Sequence, residues 1–149
     1  MSKLKTGAWV VVADGEKALF LRNDGDGEYP DLNVERIEEQ DNPPTREQAA
    51  NRRGRVMQSA NHGRSAYDDT DWHEFEKERF AKDVADILYK KAHQGAFDQI
   101  VIVAGPQVLG VLRDEYHQEV SNRIVAEIPK TLTGHPIDEI EKMVKSELA

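Results

Sequence analysis

The sequence contains no cysteine among its 149 residues. This absence excludes disulfide bonds, thiolate metal sites and cysteine nucleophiles. The chain also has no run approaching the roughly 18–20 apolar residues that a membrane-spanning helix needs. Aromatic residues make up 7% of the chain, whereas charged residues make up 32%. These proportions are typical of a globular protein with a polar surface and exclude the disordered and membrane classes.

A chain of 149 residues can build one core, so we expect a single domain over residues 1–149. Its first residues read MSKLKTGAWVVVADG, which contains an apolar stretch too short for a secretory signal. We interpret this stretch as a first β-strand. A cytoplasmic location without a membrane partner is therefore expected.

Positive charge is concentrated in one segment of an otherwise acidic chain. The net charge of the chain is −8, but the segment from Arg46 to Arg64 holds five arginines (46, 52, 53, 55 and 64) against the single acid Glu47. This segment carries +4, so the remainder carries −12. The asymmetry favours one basic site on an acidic body. The alternative is a solvated segment balanced by the acidic run that follows it.

Apolar periodicity predicts the element order β-β-β-α-β-α-β-α. The predicted strands are Trp9–Ala13, Lys17–Arg22, Leu32–Glu39, Phe97–Ala104 and Arg123–Ile128. The predicted helices are a short one over Thr45–Arg53, a long one over Trp72–His93, one after Pro106 and one opened by Pro136. Apart from the short helix, the connection over residues 41–69 has no periodic pattern, which is typical of functional or disordered segments.

Three strands joined by short turns form an antiparallel meander, and two later strands separated by helices add in parallel. One compact arrangement has the sheet order 3-2-1-4-5, which is an α/β, ribonuclease-H-like fold with helices over the faces. In this order strand 1 ends at Asp14 and strand 4 ends at Gly105, side by side. The basic segment follows strand 3 at the same edge, where open α/β sheets favour binding sites.

These positions suggest an anion or RNA-phosphate site beside the helix that starts after Gly105. The candidate residues are Arg52, Arg53, Gly54, Arg55, Ser59, His62, Gly63, Arg64 and Gly105. Arginine binds two phosphate oxygens with its planar fork, and glycine lets the backbone approach a ligand. Taken singly, Gly63 fits a plain turn equally well and His62 fits a polar surface position.

Asp14 occupies the place of the first metal-binding aspartate of ribonuclease-H-type enzymes. Two-metal chemistry needs several converging carboxylates, and none stands at the end of strand 4, where Ala104 precedes Gly105. A turn role therefore suits Asp14 better. The histidines show no metal-ligand spacing, and no cofactor motif is present, so we expect neither a metal nor a cofactor.

Several stretches together resemble the host-attachment family ("protein required for attachment to host cells"). They are WVVVADGEKALFLRN, GRVMQSANHGRSAYDDTD, ERFAKDVADIL, FDQIVIVAGPQVLGVLR and EIPKTLTGHPIDEIEKM. The likeness covers Trp9 to about Met143 and includes the family's Gly-Arg-Val-x-x-Ser pattern, matched at 54–56 and Ser59. Ser65 and Thr131 stand where that family tends to have histidine and aspartate.

That family is similar to the middle domain of archaeal and eukaryotic class-one translation release factors, which has a ribonuclease-H-like core. In those factors a Gly-Gly-Gln loop precedes the long helix and reaches the peptidyl-transferase centre. Here Gln58 echoes the glutamine, but Val56 and Met57 replace the glycines and lack their backbone freedom. The resemblance therefore implies a translation-related role, with Gln58 as a catalytic candidate to test.

Three functions remain open on the sequence. The first is a non-enzymatic domain that binds RNA or the ribosome through its arginine-rich segment. The second is a protein-interaction module with an indirect role in host-cell attachment, docking an acidic partner or a second copy. The third is a phosphate-ester hydrolase or metal-dependent nuclease that uses Asp14.

Overall fold

The computed structural model describes residues 4–40 and 62–148, and it describes side chains over 4–40 and 75–148. The strands are β1 (Trp9–Ala13), β2 (Lys17–Asn23), β3 (Leu32–Glu39), β4 (Ile100–Ala104) and β5 (Ile124–Ile128). The helices in this part of the chain are α1 (His62–His93), α2 (Pro106–Glu115), α3 (Gln118–Ser121) and α4 (Ile137–Leu148). None of these helices is both long and apolar enough to cross a membrane.

The five strands form one sheet in the order β3-β2-β1-β4-β5, which confirms the predicted α/β topology and is consistent with the ribonuclease-H-like description. β1 pairs antiparallel with β2 and parallel with β4, and β4 pairs parallel with β5. Every residue of β1 and of β4 is buried. Continuous apolar runs such as WVVVA and IVIVA suit this central position because both faces of the strand are covered.

The two faces of the sheet are covered differently. One face, which we call the three-helix face, presents side chains such as Val11, Phe20 and Ile102 to α1, α2 and α3. The other, the one-helix face, presents Val10 and Leu21 with their neighbours to α4. The alternation of side chains along each strand produces these two apolar layers.

A β-bulge in β3 changes which of its side chains share a face. Val34 pairs with Leu21, whereas Arg36 pairs with Phe20, so Glu35 is the extra residue. Strict alternation would place Val34 and Ile37 on opposite faces. Because of the bulge, Ile37 pairs with Leu19 and lies on the one-helix face together with Val34.

The predicted start of the long helix was wrong by ten residues. The pattern placed the start at Trp72, but α1 begins at His62. An apolar stripe marks only the part of a helix that packs against a core, whereas the helix itself continues as long as its backbone hydrogen bonds do. Phe75, which lies within the predicted range of the helix, is 56% exposed.

Other boundaries differ by a few residues. β2 extends to Asn23, β4 begins at Ile100 instead of Phe97, and β5 begins at Ile124. Phe97 is nonetheless buried in the core, although it lies before the strand. The short helix α3 was not predicted. The predicted helix over Thr45–Arg53 lies outside the described residues.

Candidate functional site

The ends of three strands meet at one edge of the sheet, which we call the carboxyl edge. Ala13 pairs with Ala104 at the last register position of β1 and β4, so Asp14 and Gly105 follow side by side. The end of β3 joins them, since the amide of Gln40 donates to the carbonyl of Glu16 at 2.7 Å. The predicted meeting of these strand ends is therefore confirmed.

Asp14 closes the turn between β1 and β2. Its Oδ1 accepts hydrogen bonds from the amides of Glu16 and Lys17, both at 2.7 Å. Its Oδ2 accepts a hydrogen bond from Thr133 Oγ1 at 2.6 Å. Aspartate commonly holds a turn in this way, by accepting from amides two or three residues on. The arrangement suits the structural role that we predicted for Asp14, and it ties the turn to the segment before α4.

Gly15, the next residue, lets a lysine of α1 cross the turn. A Cβ atom at Gly15 would lie 2.7 Å from Cγ of Lys77, closer than real Cβ atoms approach. Glycine is thus required here for a close approach rather than for its backbone angles. The lysine brings a positive charge to the carboxyl edge.

A partly buried polar pair joins the end of β3 to α1. Gln40 Nε2 donates to Glu76 Oε1 at 2.6 Å and to the carbonyl of Glu76 at 3.1 Å. Oε2 of Glu76 is buried and has no hydrogen-bond partner within the described residues, and Nη1 of Arg79 lies 3.8 Å from it. Gln40, the last described residue before the basic segment, is therefore held firmly against α1.

The start of α2 is narrow and carries no side-chain cap. Gly105 is the N-cap residue in an extended conformation, and Pro106 opens the helix. A Cβ atom at Gly105 would lie 2.8 Å from Thr131 Oγ1. Helix N-termini carry free amides and a partial positive charge, which favour an anion. The Thr131 hydroxyl, the helix amides and Lys77 are thus the groups at this edge that favour an anion, beside the carboxylates of Asp14 and Glu76.

The structure describes only some of the residues predicted for the basic site. Arg52, Arg53, Gly54, Arg55, Gln58 and Ser59 lie outside the described residues. His62, Gly63 and Arg64 form the first turn of α1, so the prediction that they belong to the connection before the long helix was wrong. About 21 Å of helix separates His62 from Glu76, at 1.5 Å of rise per residue.

Sequence analysis missed the side chains that reach the carboxyl edge from a distance. Lys77 stands in the charged run Glu-Lys-Glu-Arg, and nothing local sets it apart. Thr133 is 119 residues away from its partner Asp14. Thr131 was noted only as a departure from a family pattern. Within the described part of the chain, no three His, Asp or Glu side chains are arranged to hold a metal ion.

The chain matches the model of a known protein family. A model of bacterial archaeo-eukaryotic release factor family 12 matches residues 7–144. The match includes all five strands, the carboxyl edge and the basic segment. No curated protein matches the chain significantly.

Proposed function

The chain belongs to bacterial archaeo-eukaryotic release factor family 12, and we propose that it is a translation-related, non-enzymatic domain that binds RNA. The RNA that we expect it to bind is that of the ribosome. The observation that carries this proposal is the +4 charge of residues 46–64 within a chain of net charge −8. Arginine-rich segments recognise phosphate through bidentate, charge-assisted hydrogen bonds.

The carboxyl edge supports the same proposal. Gln40, which precedes the basic segment in the sequence, lies at this edge together with Lys77 and the free amides at the start of α2. Each of these features favours an anion. Besides Arg52, Arg53 and Arg55, the proposed RNA-binding set includes residues that contact the RNA or border the contact, namely Gly54, Ser59, His62, Gly63, Arg64 and Gly105.

Co-sedimentation with ribosomes at increasing salt tests the proposal. Replacing Arg52, Arg53 and Arg55 together with alanine should weaken binding and lower its salt dependence. The reason is that fewer phosphate contacts form, so binding releases fewer counterions. The slope of log K against log salt should fall by about 2, at roughly 0.7 per contact on single-stranded RNA.

A matched control removes the same charge elsewhere. Arg22, Arg36 and Arg113 are exposed and form ion pairs with nearby acids. Their triple alanine variant should bind ribosomes nearly as the unaltered protein does. Equal losses in the two triple variants, or binding that ignores salt, would overturn the proposal.

The resemblance to the host-attachment family supports an alternative proposal. In this alternative, the chain is a protein-interaction module in the cytoplasm with an indirect role in host-cell attachment. The observation that favours it is the group of exposed apolar side chains on β3. Size-exclusion chromatography at low and high salt, with and without ribonuclease, separates the two proposals. A complex that survives ribonuclease treatment supports the alternative.

A further inference from the structure

Among the described residues, four large apolar side chains are substantially exposed. They are Tyr29 at 76%, Val34 at 42%, Ile37 at 50% and Phe75 at 56%. The first three lie on β3 or just before it, and we call them the β3 strip. Single exposed apolar residues are common, but a group on one surface indicates an interaction site.

The three side chains of the β3 strip lie on the same side of the sheet. Val34 and Ile37 pair with Leu21 and Leu19, which both belong to the one-helix face. The Tyr29 ring lies 5.7 Å from Nζ of Lys145, a residue of α4. The strip therefore runs beside α4, on the face that this helix covers.

The position of α4 explains why the strip is uncovered. α4 has 12 residues and buries Ile140, Val144 and Leu148 against the one-helix face. It reaches β3 near its start, where Glu141 Oε2 accepts a hydrogen bond from the amide of Leu32 at 2.7 Å. Beyond that point, Val34 and Ile37 extend past the helix into solvent.

The outer edge of β3 is protected against pairing with another strand. The bulge at Glu35 interrupts the regular ladder. Arg36 donates from Nε and Nη2 to Glu38 Oε1, at 3.0 and 2.8 Å, which adds a charged pair along the strand. Bulges and charges of this kind discourage edge-to-edge pairing. A partner is therefore expected on the face of the strip and not as an added strand.

The charge around the β3 strip selects the partner. Residues 16–39 and 137–148, the segments that carry and border the strip, hold twelve acidic against five basic residues over both faces of the sheet, a net charge of −7. We propose that the β3 strip docks a basic polypeptide that presents aliphatic side chains between lysines or arginines. An acidic surface repels RNA phosphate, so this surface suits a protein segment. The inference is independent of the RNA-binding proposal, which uses other residues.

Fluorescence anisotropy with the full chain tests the inference. The probe is a labelled short peptide of alternating lysine and leucine, and its control is a lysine–serine peptide of equal length and charge. The lysine–leucine peptide should bind about tenfold more tightly, because only it can bury aliphatic groups on the strip. Equal affinity for the two peptides would overturn the inference, since charge alone would then explain binding.

Variants of the strip locate the contact. The double variant V34S/I37S should abolish the tenfold preference while retaining the weaker binding of the lysine–serine peptide. Phe75→Ser, which alters an equally exposed side chain on α1, should leave the preference intact. Tyr29→Ser, in a loop where folding is least affected, should reduce the preference about threefold even if the double variant folds poorly.

Two further outcomes would also overturn the inference. One is concentration-dependent self-association that V34S/I37S removes, since the occupant would then be a second copy of the chain. The other is binding of a labelled RNA oligonucleotide that V34S/I37S removes and the Arg52, Arg53 and Arg55 triple variant does not.

Discussion

The two faces of the sheet differ in how completely the chain covers them. On the three-helix face, α1, α2 and α3 cover the strands, and Phe20 and Ile102 are fully buried. On the one-helix face, α4 covers the centre but leaves Val34 and Ile37 of β3 about half exposed. The difference comes from the number of covering helices and from β3, whose bulge places both Val34 and Ile37 on the one-helix face.

The difference in coverage suggests that the two faces have different roles, one in stability and the other in binding. A fully covered face contributes its apolar burial to folding and has little left to offer a partner. A partly covered face retains apolar surface at a modest cost in stability, and that surface is available for an interaction. We therefore expect substitutions on the three-helix face to affect stability more strongly than equivalent substitutions on the one-helix face.

The largest expected effect compares a valine on each face. Val84 in α1 and Val144 in α4 are both buried. We expect Val84→Ala to lower the free energy of unfolding by about 3 kcal/mol and Val144→Ala by about 2 kcal/mol, because a single covering helix can shift to close the cavity. Urea unfolding measures both values. A larger loss for Val144→Ala would break the comparison.

Asn23 tests how the one-helix face is anchored. Its buried side chain donates to the carbonyls of Leu4 and Lys5 and accepts from the amides of Gly25 and Asp31. Asn23→Ala should cost about 2 kcal/mol in urea unfolding, because buried backbone groups lose their partners.

The exposed Asn33 provides the matched control for Asn23. It hydrogen-bonds only at the surface, through Asp24 and the carbonyl of Asp31. Asn33→Ala should therefore change the free energy of unfolding by less than about 0.5 kcal/mol. Similar losses in the two variants would mean that Asn23 does not anchor the one-helix face.

Asp14 tests the link between the carboxyl edge and the segment before α4. Asp14→Ala removes the acceptor of two amides and of Thr133, and we expect a loss of about 1.5 kcal/mol. Asp14→Asn keeps an acceptor for the turn and should lose about 0.5 kcal/mol. If Asn proves as costly as Ala, the negative charge and not the turn geometry is what matters.

The smallest effect concerns Tyr116, which packs against the three-helix face with a buried hydroxyl that lacks a hydrogen-bond partner in the described part of the chain. Removing that hydroxyl in Tyr116→Phe should raise the free energy of unfolding by about 0.5–1 kcal/mol. Tyr29→Phe, at an exposed position, should leave it unchanged.

The same tyrosine gives a prediction for alkaline pH. Burial, with a smaller contribution from Glu127, raises the pKa of Tyr116 well above its usual range. The folded protein therefore keeps its full stability below the unfolded pKa of about 10. Above that pH the free energy of unfolding falls, because the phenol ionises in the unfolded state and stays protonated in the folded state. Tyr116→Phe should therefore lose less stability between neutral and alkaline pH than the unaltered protein.

Short-range sequence patterns predicted most of the fold. The runs WVVVA and IVIVA identified the central strands, and Asp14–Gly15 identified a tight turn, because these signals depend on neighbouring residues. From the resulting element order, the sheet order and the carboxyl edge followed. The start of α1 could not be predicted in this way, since residues 62–71 carry no apolar stripe although their backbone is helical.

The candidate site was less predictable than the fold. Its strand-end residues, Asp14 and Gly105, followed from topology. Lys77 and Thr131 did not, because each approaches a glycine that is distant in sequence. Such close approaches depend on how elements pack, and no local pattern encodes them.

By itself, the sequence determined the strands, their order, the position of the carboxyl edge and the concentration of arginine between β3 and α1. Only the tertiary structure decided that a bulge at Glu35 brings Ile37 beside Val34, and that α4 leaves both exposed. The physical reason is the distance along the chain over which each property is determined. Periodicity and charge are properties of adjacent residues, whereas register and coverage depend on which distant surfaces meet when the chain is folded.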